Sequence, residues 1–182
     1  MIFENIKLGK NVNIDPSSVI NNVIIGDNVK IAKRVTLFGS SEEMLEIGND
    51  SYIGMNCFLH GYAGKVKIGC HVSFAQNVIL MTDSGPNASK QMQRIFPIIS
   101  GNVTIGDHSW IGAHSIIMPG IKIGKFSVVA ANSFVNIDVP DFSICGGTPA
   151  KIIRRMSKEE IDLITKDSIC KRPKMTHGLA PK

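Results

Sequence analysis

A chain of 182 residues is long enough to bury one hydrophobic core, so one main domain is the default prediction. Its 17 glycines, low aromatic content (6%) and many isoleucines and valines favour a turn-rich all-β protein over a helical one. The net charge is only +5 and no aromatic residues alternate with a basic stripe, which argues against nucleic acid as a partner. A phosphate-bearing small molecule suits this charge equally well.

Targeting signals are not apparent in the sequence. No apolar run approaches about 18 residues, and the amino terminus lacks a basic stretch followed by an apolar one. The four cysteines, Cys57, Cys70, Cys145 and Cys170, form neither a CxxC pair nor a framework of short spacings, so we interpret them as thiols of a reducing compartment. These features predict a soluble cytoplasmic protein with no membrane insertion.

An apolar residue recurs every six positions along most of the chain. The series is interrupted at 39–46, at 62–64 and over 83–102, and it resumes after each interruption. Because six is a multiple of the strand period and not of the helix period, all these side chains point the same way along an extended chain. The members are Ile14, Ile25, Ile31, Leu37, Ile47, Ile53, Leu59, Ile68, Phe74, Leu80, Ile105, Ile111, Ile117, Ile123 and Val129.

Three such hexads complete one turn of a triangular coil, and the next coil stacks about 4.8 Å above it. The repeat predicts roughly six coils and a prism about 30 Å long. A β-sandwich is the alternative, but it predicts period-two alternation broken every 8–12 residues. It does not explain a six-residue phase that survives three interruptions, so we favour the solenoid.

The segment 83–102, DSGPNASKQMQRIFPIISGN, is a candidate functional loop. Loops of this length without structure of their own are uncommon in compact domains and are often functional. Met92, Ile95 and Phe96 offer apolar anchors that a lone flexible loop does not need. A tolerated surface insertion is the alternative interpretation.

The carboxyl-terminal region leaves the repeat. GGTPAKIIRR (146–155) is predicted to turn the chain out of the solenoid. Ser157 and Glu160 form a capping box, which predicts a short helix. This helix is expected to pack on the end of the prism or on a neighbour and to shield the last coil, and a polar tail follows over 170–182. We therefore divide the chain into a β-helix (1–154, with the inserted loop 83–102) and a helix with its tail (155–182).

Three segments, IGDHSWIGAHSIIMPGIKIG, VVAANSFV and GGTPAKIIRR, resemble the hexapeptide-repeat acyltransferases, in particular the sugar O-acetyltransferases of the maltose and galactoside type. The resemblance covers about residues 14–154 and is most specific over 103–154. It implies a left-handed parallel β-helix, a homotrimer with active sites between subunits, and acetyl-CoA as the donor. It also implies that the loop helps to cover the site of a neighbouring subunit.

The chain departs from this family at the expected general base. A histidine stands at the start of the loop in the resembling enzymes, whereas Leu80 is followed here by Met81, Thr82 and Asp83. The repeat aligns Leu59 with Leu80, so His60 is expected one coil from Met81, on the same face as the loop's root. We predict Asn56, Tyr62 and Ser84 to bind the acceptor beside these residues.

Two routes remain open for the acid–base chemistry. In the first, His60 is the base and the carboxylate of Asp83 orients its imidazole. In the second, the acceptor is an amine that needs less help, and Asp83 holds the sugar by its hydroxyls. A purely structural role for His60 in a turn is the alternative to both.

The donor site is predicted around Trp110, the only tryptophan, which precedes Gly112 and Ala113. An indole beside a corner of small residues suits a pantetheine arm. The resemblance places coenzyme A at Ala113 and at Ala131 and Asn132 of the next coil. Lys151 and Arg154 follow where it places the nucleotide end, and cationic side chains suit phosphates there. The alternatives are a tryptophan that caps a coil and a solvated charge run.

Two other classes of function were weighed. A carbonic anhydrase-type enzyme on this fold needs three closely spaced histidines on zinc, and His60, His71, His108 and His114 do not have that spacing. A non-enzymatic scaffold has no need for the long loop or the tryptophan. We therefore predict an acetyl-CoA-dependent O- or N-acetyltransferase without a metal. Its acceptor is a sugar or nucleotide-linked sugar, as in polysaccharide biosynthesis, and hydroxyl and amine acceptors are not distinguished.

Overall fold

The computed structural model describes residues 5–166, which contain 22 short strands and two helices. The strands in the first half are β1 (Ile6–Leu8), β2 (Asn13–Ile14), β3 (Val19–Asn21), β4 (Val23–Ile25), β5 (Lys30–Ile31), β6 (Thr36–Gly39), β7 (Leu45–Ile47), β8 (Tyr52–Ile53), β9 (Phe58–Gly61), β10 (Val66–Ile68), β11 (Ser73–Phe74) and β12 (Ile79–Met81). The remaining elements are β13 (Asp83–Ser84), α1 (Lys90–Gln93), β14 (Ile99–Ser100), β15 (Val103–Ile105), β16 (Trp110–Ile111), β17 (Ile116–Ile117), β18 (Lys122–Ile123), β19 (Val128–Val129), β20 (Phe134–Val135), β21 (Ser143–Gly146), β22 (Lys151–Arg155) and α2 (Lys158–Thr165).

These strands form the three walls of a parallel β-helix of about six turns, as the hexads predicted. Sheet 1 has the order β1-β4-β7-β10-β15-β18, and sheet 3 has the order β3-β6-β9-β12-β17-β20. Sheet 2 has the order β2-β5-β8-β11-β16-β19-β21-β22, and its last pair is antiparallel. Each strand pairs with the strand one coil away, so the chain winds through the three sheets in turn.

The interior consists of three ladders of hexad residues, one for each sheet. In sheet 3, Leu59 pairs in register with Leu37 on one side and with Leu80 on the other, and all three are fully buried. In sheet 2, Phe74 stands between Ile53 and Ile111 and is also fully buried. Burial of these side chains is the main term that stabilises the fold, because the interior of the prism is the main place where apolar side chains pack.

The corner between sheets 1 and 2 carries a column of stacked rings. The His71 and His108 rings lie 4.6 Å apart, and Phe126 follows at 4.5 Å from His108. Each of these residues has a positive φ, which the tight turn requires. Burial, and then the neighbouring His71, lower the pKa of His108. The equivalence of His71 and His108 was not predicted, because 37 residues that include the long loop separate them.

The three interruptions of the repeat all leave the prism at one corner, between sheet 3 and sheet 1. They connect β6 to β7, β9 to β10, and β12 to β15, which are consecutive coils. We call this the insertion corner (40–44, 62–65 and 82–102). The long loop has structure of its own, contrary to the prediction: β13 pairs antiparallel with β14, and Ser89 caps the short helix α1.

The end of the β-helix also differs from the prediction. Residues 151–155 form β22, which pairs antiparallel with β21 and so extends sheet 2. The helix α2 follows with the predicted capping box of Ser157 and Glu160. No residue of α2 is fully buried, although Ile161 and Ile164 are half-buried, and the shielding of the last coil by this helix stays a prediction. The tail predicted over 170–182 lies outside the described residues.

Two of the cysteines are buried free thiols, Cys57 and Cys145, and burial raises the pKa of each to about 11. Cys70 is disulfide-bonded, which corrects the expectation of four thiols. Cys170 lies outside the described residues.

Within 5–166, no helix has the length and apolar character needed to cross a membrane.

Candidate active site

The structure brings His60 and Asp83 together at the insertion corner. His60 is the third residue of β9 and pairs in register with Met81, as the alignment of Leu59 with Leu80 predicted. Asp83 begins the long loop two residues after Met81. Its Oδ1 lies 3.4 Å from Nδ1 of His60, and the side chains of His60 and Asp83 are 29% and 21% exposed, respectively. An imidazole and a carboxylate are thus adjacent and accessible from solvent, as general base chemistry requires.

Thr82 anchors this pair and was missed in the sequence analysis. It is fully buried, its N–H donates to the carbonyl of His60, and its own carbonyl accepts from the N–H of Gly101. Its hydroxyl accepts a hydrogen bond from the N–H of Ala63. Thr82 thereby links two insertions to β9 and fixes where the loop starts. The signal in the sequence was the spacing: Thr82 follows the inward-facing hexad residue Leu80 by two positions. In an extended chain it is therefore expected on the same, inward side.

The carboxylate of Asp83 is incompletely satisfied. Its Oδ1 is buried and has no hydrogen-bond partner among residues 5–166, because the contact with His60 lacks hydrogen-bond geometry. A buried acceptor without a donor is costly, and native structures rarely keep one without a functional reason. The buried Oδ1 is itself not accessible to a ligand, so a ligand can contact Asp83 only at the exposed part of its side chain.

A cleft of about 730 Å³ opens beside His60, on the side away from the coil of Asp83. Its walls are aromatic at Phe38 and Tyr62, and Glu42 supplies a carboxylate. The remaining lining is polar or small: Asn21, Asn22, Gly39, Ser40 and Ser41. Polar groups beside aromatic faces are the chemistry that binds sugars and nucleosides. Phe38 and Glu42 were not predicted as site residues, although Phe38 pairs in register with His60.

The predicted acceptor residues are only partly brought together. Tyr62 lines the cleft, with its ring 6.1 Å from that of His60. Ser84 is half-buried on β13 beside Asp83. Asn56 lies elsewhere, at the corner between sheets 2 and 3, where its Oδ1 accepts a hydrogen bond from Arg34. It is separated from His60 because it precedes β9, whereas His60 is the third of that strand's four residues.

The predicted donor residues lie along the corner between sheets 2 and 3, which we call the donor corner (112–113 and 130–132). Gly112 approaches the backbone of the next coil so closely that an added Cβ would stand 2.5 Å from the Ala131 nitrogen. Asn132 donates its N–H to the carbonyl of Ala113, which joins the two coils. Trp110 is 55% exposed beside this corner and so presents a flat apolar face to solvent.

The two predicted cationic residues differ in their surroundings. Lys151 is exposed at the start of β22, in register with Gly146. Arg154 is exposed too, but its guanidinium makes a bidentate pair with Glu160 at 2.8 and 2.9 Å. This pair lowers the pKa of Glu160 to about 2. Arg154 is therefore largely neutralised, and Lys151 is the freer cation of the two.

Within one chain, the donor corner does not meet His60. Ala113 precedes β17, whereas His60 stands near the end of β9, so the two lie at opposite edges of sheet 3. Two strand spacings along the axis, about 9–10 Å, separate their coils as well. Within one chain, the region predicted to bind the donor and the His60–Asp83 pair are therefore separate.

The remaining histidines of the described region lie at corners. His71 belongs to the ring column, and His114 contacts Asn77 at 3.3 Å. Residues 5–166 contain no group of three or more His, Cys, Asp or Glu side chains arranged to hold a metal ion.

The model of the bacterial transferase hexapeptide family, six repeats, matches residues 5–39 and 102–136. The galactoside O-acetyltransferase of Escherichia coli (strain K12) is 31% identical over 145 residues, which are 79% of this chain and 68% of that enzyme. This chain belongs to the hexapeptide-repeat transferases. It spans less of other relatives: 61% of a protein of Saccharomyces cerevisiae that is 36% identical, and 31% of the chloramphenicol acetyltransferase of Klebsiella aerogenes.

Solved structures of an N-acyltransferase and an acetyltransferase extend the likeness over most of the chain. AntD, an N-acyltransferase from Bacillus cereus in complex with dTDP and 3-hydroxybutyryl-CoA, has a TM-score of 0.73 at 29% identity, covering 86% of this chain and 86% of that one. A galactoside acetyltransferase in complex with coenzyme A has a TM-score of 0.63 at 26% identity, covering 87% of this chain and 68% of that one. Both neighbours thus hold coenzyme A or an acyl derivative of it.

Proposed function

We propose that this chain is an acetyl-CoA-dependent acyltransferase that acylates a hydroxyl or amine of a sugar or nucleotide-linked sugar. The observation that carries the proposal is the His60–Asp83 pair, which stands beside an aromatic and polar cleft at the insertion corner. The family membership supports the reaction class, and the neighbours that contain coenzyme A, its acyl derivative or dTDP support the two substrate classes.

His60 is the group that receives the acceptor's proton. An imidazole is a base suited to neutral pH, and this one is partly exposed, so it can reach an acceptor bound in the cleft. The acceptor atom then attacks the thioester carbonyl, the new C–O or C–N bond forms, and the C–S bond breaks. The proton on His60 passes to the leaving thiolate, so the residue returns neutral. The backbone amides of Ala113 and Ala131 are the ones proposed to stabilise the oxyanion, because those of Gly112, Ala130 and Asn132 already donate to carbonyls.

The donor arm is proposed to lie along Trp110 and the donor corner, with its nucleotide end near Lys151. Replacing Trp110 with Ala is expected to weaken coenzyme A binding by about 10-fold, because a stacked aromatic wall contributes on the order of 1–1.5 kcal/mol. Isothermal calorimetry measures this affinity. Tyr52→Ala is a matched control, since Tyr52 is exposed in the same outward row of sheet 2, two coils away. Equal losses in both variants would contradict the assignment of Trp110.

We propose that the active site is completed between subunits of a homotrimer, because one chain keeps the donor corner and the His60–Asp83 pair apart. The outer face of sheet 3 supports this proposal. Its row in register with Phe58 is apolar over four coils, at Phe58, Ile79, Ile116 and Phe134. The long loop adds Ile95 and Phe96, which are 72% and 58% exposed. Association of these surfaces would bury them and bring one chain's His60 toward another's donor corner.

Sedimentation equilibrium is expected to give three times the chain mass.

The double replacement of Ile95 and Phe96 by Asp should lower activity at least about 10-fold and favour smaller species, because it would place two charges in the proposed contact between subunits. Leu163→Asp is the control, because Leu163 is 73% exposed on α2 away from the loop. A fully active monomer would overturn the inter-subunit site.

A further inference from the structure

The imidazole of His60 is not held in place by a hydrogen bond from the described chain. Within residues 5–166 its nitrogens make none, because the contact of Nδ1 with Oδ1 of Asp83, at 3.4 Å, lacks hydrogen-bond geometry. A histidine that acts as a base is usually oriented by a hydrogen bond to its second nitrogen. The ring of His60 therefore needs another restraint to face an acceptor in the cleft.

Two aromatic rings enclose this imidazole along its own strand. Phe58, His60 and Tyr62 alternate along the chain, so an extended backbone sends all three side chains to the outer side of sheet 3. The Phe58 ring lies 5.7 Å from that of His60 at an interplanar angle of 14°, and the Tyr62 ring lies 6.1 Å from it at 15°. Stacked rings attract each other at centroid distances of about 4.5–7 Å. The imidazole thus lies between two nearly parallel rings.

The adjoining coils place apolar side chains on the two remaining sides. Phe38 of β6 and Met81 of β12 are both in register with His60, one on each side of it across sheet 3. Residues in register on parallel strands lie about 4.8 Å apart and send their side chains to the same side. His60 nevertheless keeps 29% of its side chain exposed and lines the cleft. The ring is therefore confined on four sides and open toward solvent.

We propose that Phe58 is a positioning residue for the reaction and that it acts through His60. With the ring of Tyr62, it restricts rotation of the imidazole, so that Nδ1 stays on the side of Asp83 and Nε2 remains available to the acceptor. This inference rests on the proposed function, in which His60 receives the acceptor's proton, and adds the residue that orients this base. Phe58 is not part of the cleft lining, so its role needs no contact with the acceptor.

Phe58→Leu is expected to lower kcat about 10-fold, because a base displaced by even about 1 Å loses much of its rate contribution. The KM values of both substrates should stay within about 3-fold of wild type, since leucine leaves the cleft lining and the donor corner intact. Phe58→Tyr keeps the ring and should retain kcat within about 2-fold. The assay uses the full-length chain with acetyl-CoA. Its acceptor is whichever of methyl β-galactoside, glucosamine and a dTDP-linked amino sugar turns over fastest.

The His60→Ala background separates orientation of the base from general damage. Adding Phe58→Leu to His60→Ala should lower kcat by less than about 2-fold more, because the ring that Phe58 orients is already absent. Phe142→Leu is the matched control. The Phe142 ring stacks on that of Phe126 at 5.3 Å and so continues the ring column at the corner between sheets 1 and 2, away from the cleft. This control should retain full kcat.

A spectroscopic measurement tests the stacked contact without any assay of activity. Ring currents of the flanking aromatic side chains shift the NMR resonances of the His60 ring protons, which are identified by their loss in His60→Ala. Phe58→Leu should move these resonances, and Phe58→Tyr should leave them nearly unchanged. Sedimentation equilibrium accompanies both variants, because Phe58 also belongs to the apolar row that is proposed to associate. Phe58→Leu should sediment as the wild-type chain does.

Wild-type kcat in Phe58→Leu overturns the positioning role and leaves the proposed function intact. So does an equal loss of kcat with and without the His60 imidazole, or a loss that appears only together with smaller species in sedimentation. His60 resonances that do not respond to Phe58→Leu overturn the stacked contact. A wild-type chain that neither binds coenzyme A nor acylates any acceptor overturns the proposed function itself, and the positioning role with it.

Discussion

Replacing His60 with Ala is expected to lower kcat by about 10²- to 10⁴-fold, the usual contribution of a positioned general base. The imidazole is the accessible base at the root of the long loop, and its partner Asp83 is placed to stabilise the protonated form. Because His60 is proposed to act on the acceptor's proton, whereas the donor is proposed to be held along Trp110 and the donor corner, the affinity for coenzyme A should be nearly unchanged. Steady-state kinetics and calorimetry together measure the two effects.

His71→Ala is the control for this substitution. His71 is exposed at the corner between sheets 1 and 2, where its Nε2 lies 3.8 Å from Oδ2 of Asp50, and it lies outside both the cleft and the donor corner. It should retain nearly full kcat. A His60→Ala variant that turned over as fast as His71→Ala would show that the acid–base group is elsewhere.

Replacing Phe74 with Ala is expected to lower the free energy of unfolding by about 3–5 kcal/mol. Phe74 is fully buried between Ile53 and Ile111, in the middle of the sheet 2 ladder. The surrounding coils are held by parallel backbone pairing and cannot collapse into the space that the ring leaves. Urea unfolding at fixed protein concentration measures the change, because assembly makes the apparent stability depend on concentration.

Phe74→Leu should cost less than the truncation to Ala, since it keeps most of the buried volume. A still smaller effect is expected for Tyr52→Ala, because Tyr52 belongs to the outward row of sheet 2 and is 42% exposed. Comparable losses in Phe74→Ala and Tyr52→Ala would contradict the assignment of inward and outward faces.

The fold could be predicted because a six-residue period constrains every coil in the same way. Ile47, Ile68 and Ile105 belong to successive coils, and in the structure they stand in one ladder although an insertion separates each pair. The inner structure of the long loop was not predicted, because a two-residue strand pair and a four-residue helix depend on where Thr82 and Gly101 fix its ends.

The same period predicted that His60 lies one coil from Met81 at the root of the loop, which the register confirms, whereas it left the distance between His60 and Asp83 open. It did not indicate that Asn56 and His60 lie toward opposite ends of β9, so the role of Asn56 in acceptor binding stays a prediction. The cleft walls at Phe38 and Glu42 were missed for a related reason. They come from a different coil, and their approach to His60 depends on two insertions, 40–44 and 62–65, leaving at one corner.

The most direct test is a crystal structure of the chain with coenzyme A. We predict that the pantetheine arm lies along Trp110 and the donor corner of one subunit. Its sulfur should point toward His60 of another subunit. An acceptor atom at about 2.6–3.2 Å from the imidazole would then also lie about 3–3.5 Å from the thioester carbon. Coenzyme A bound along another face, with its sulfur remote from every His60, would contradict the proposed site.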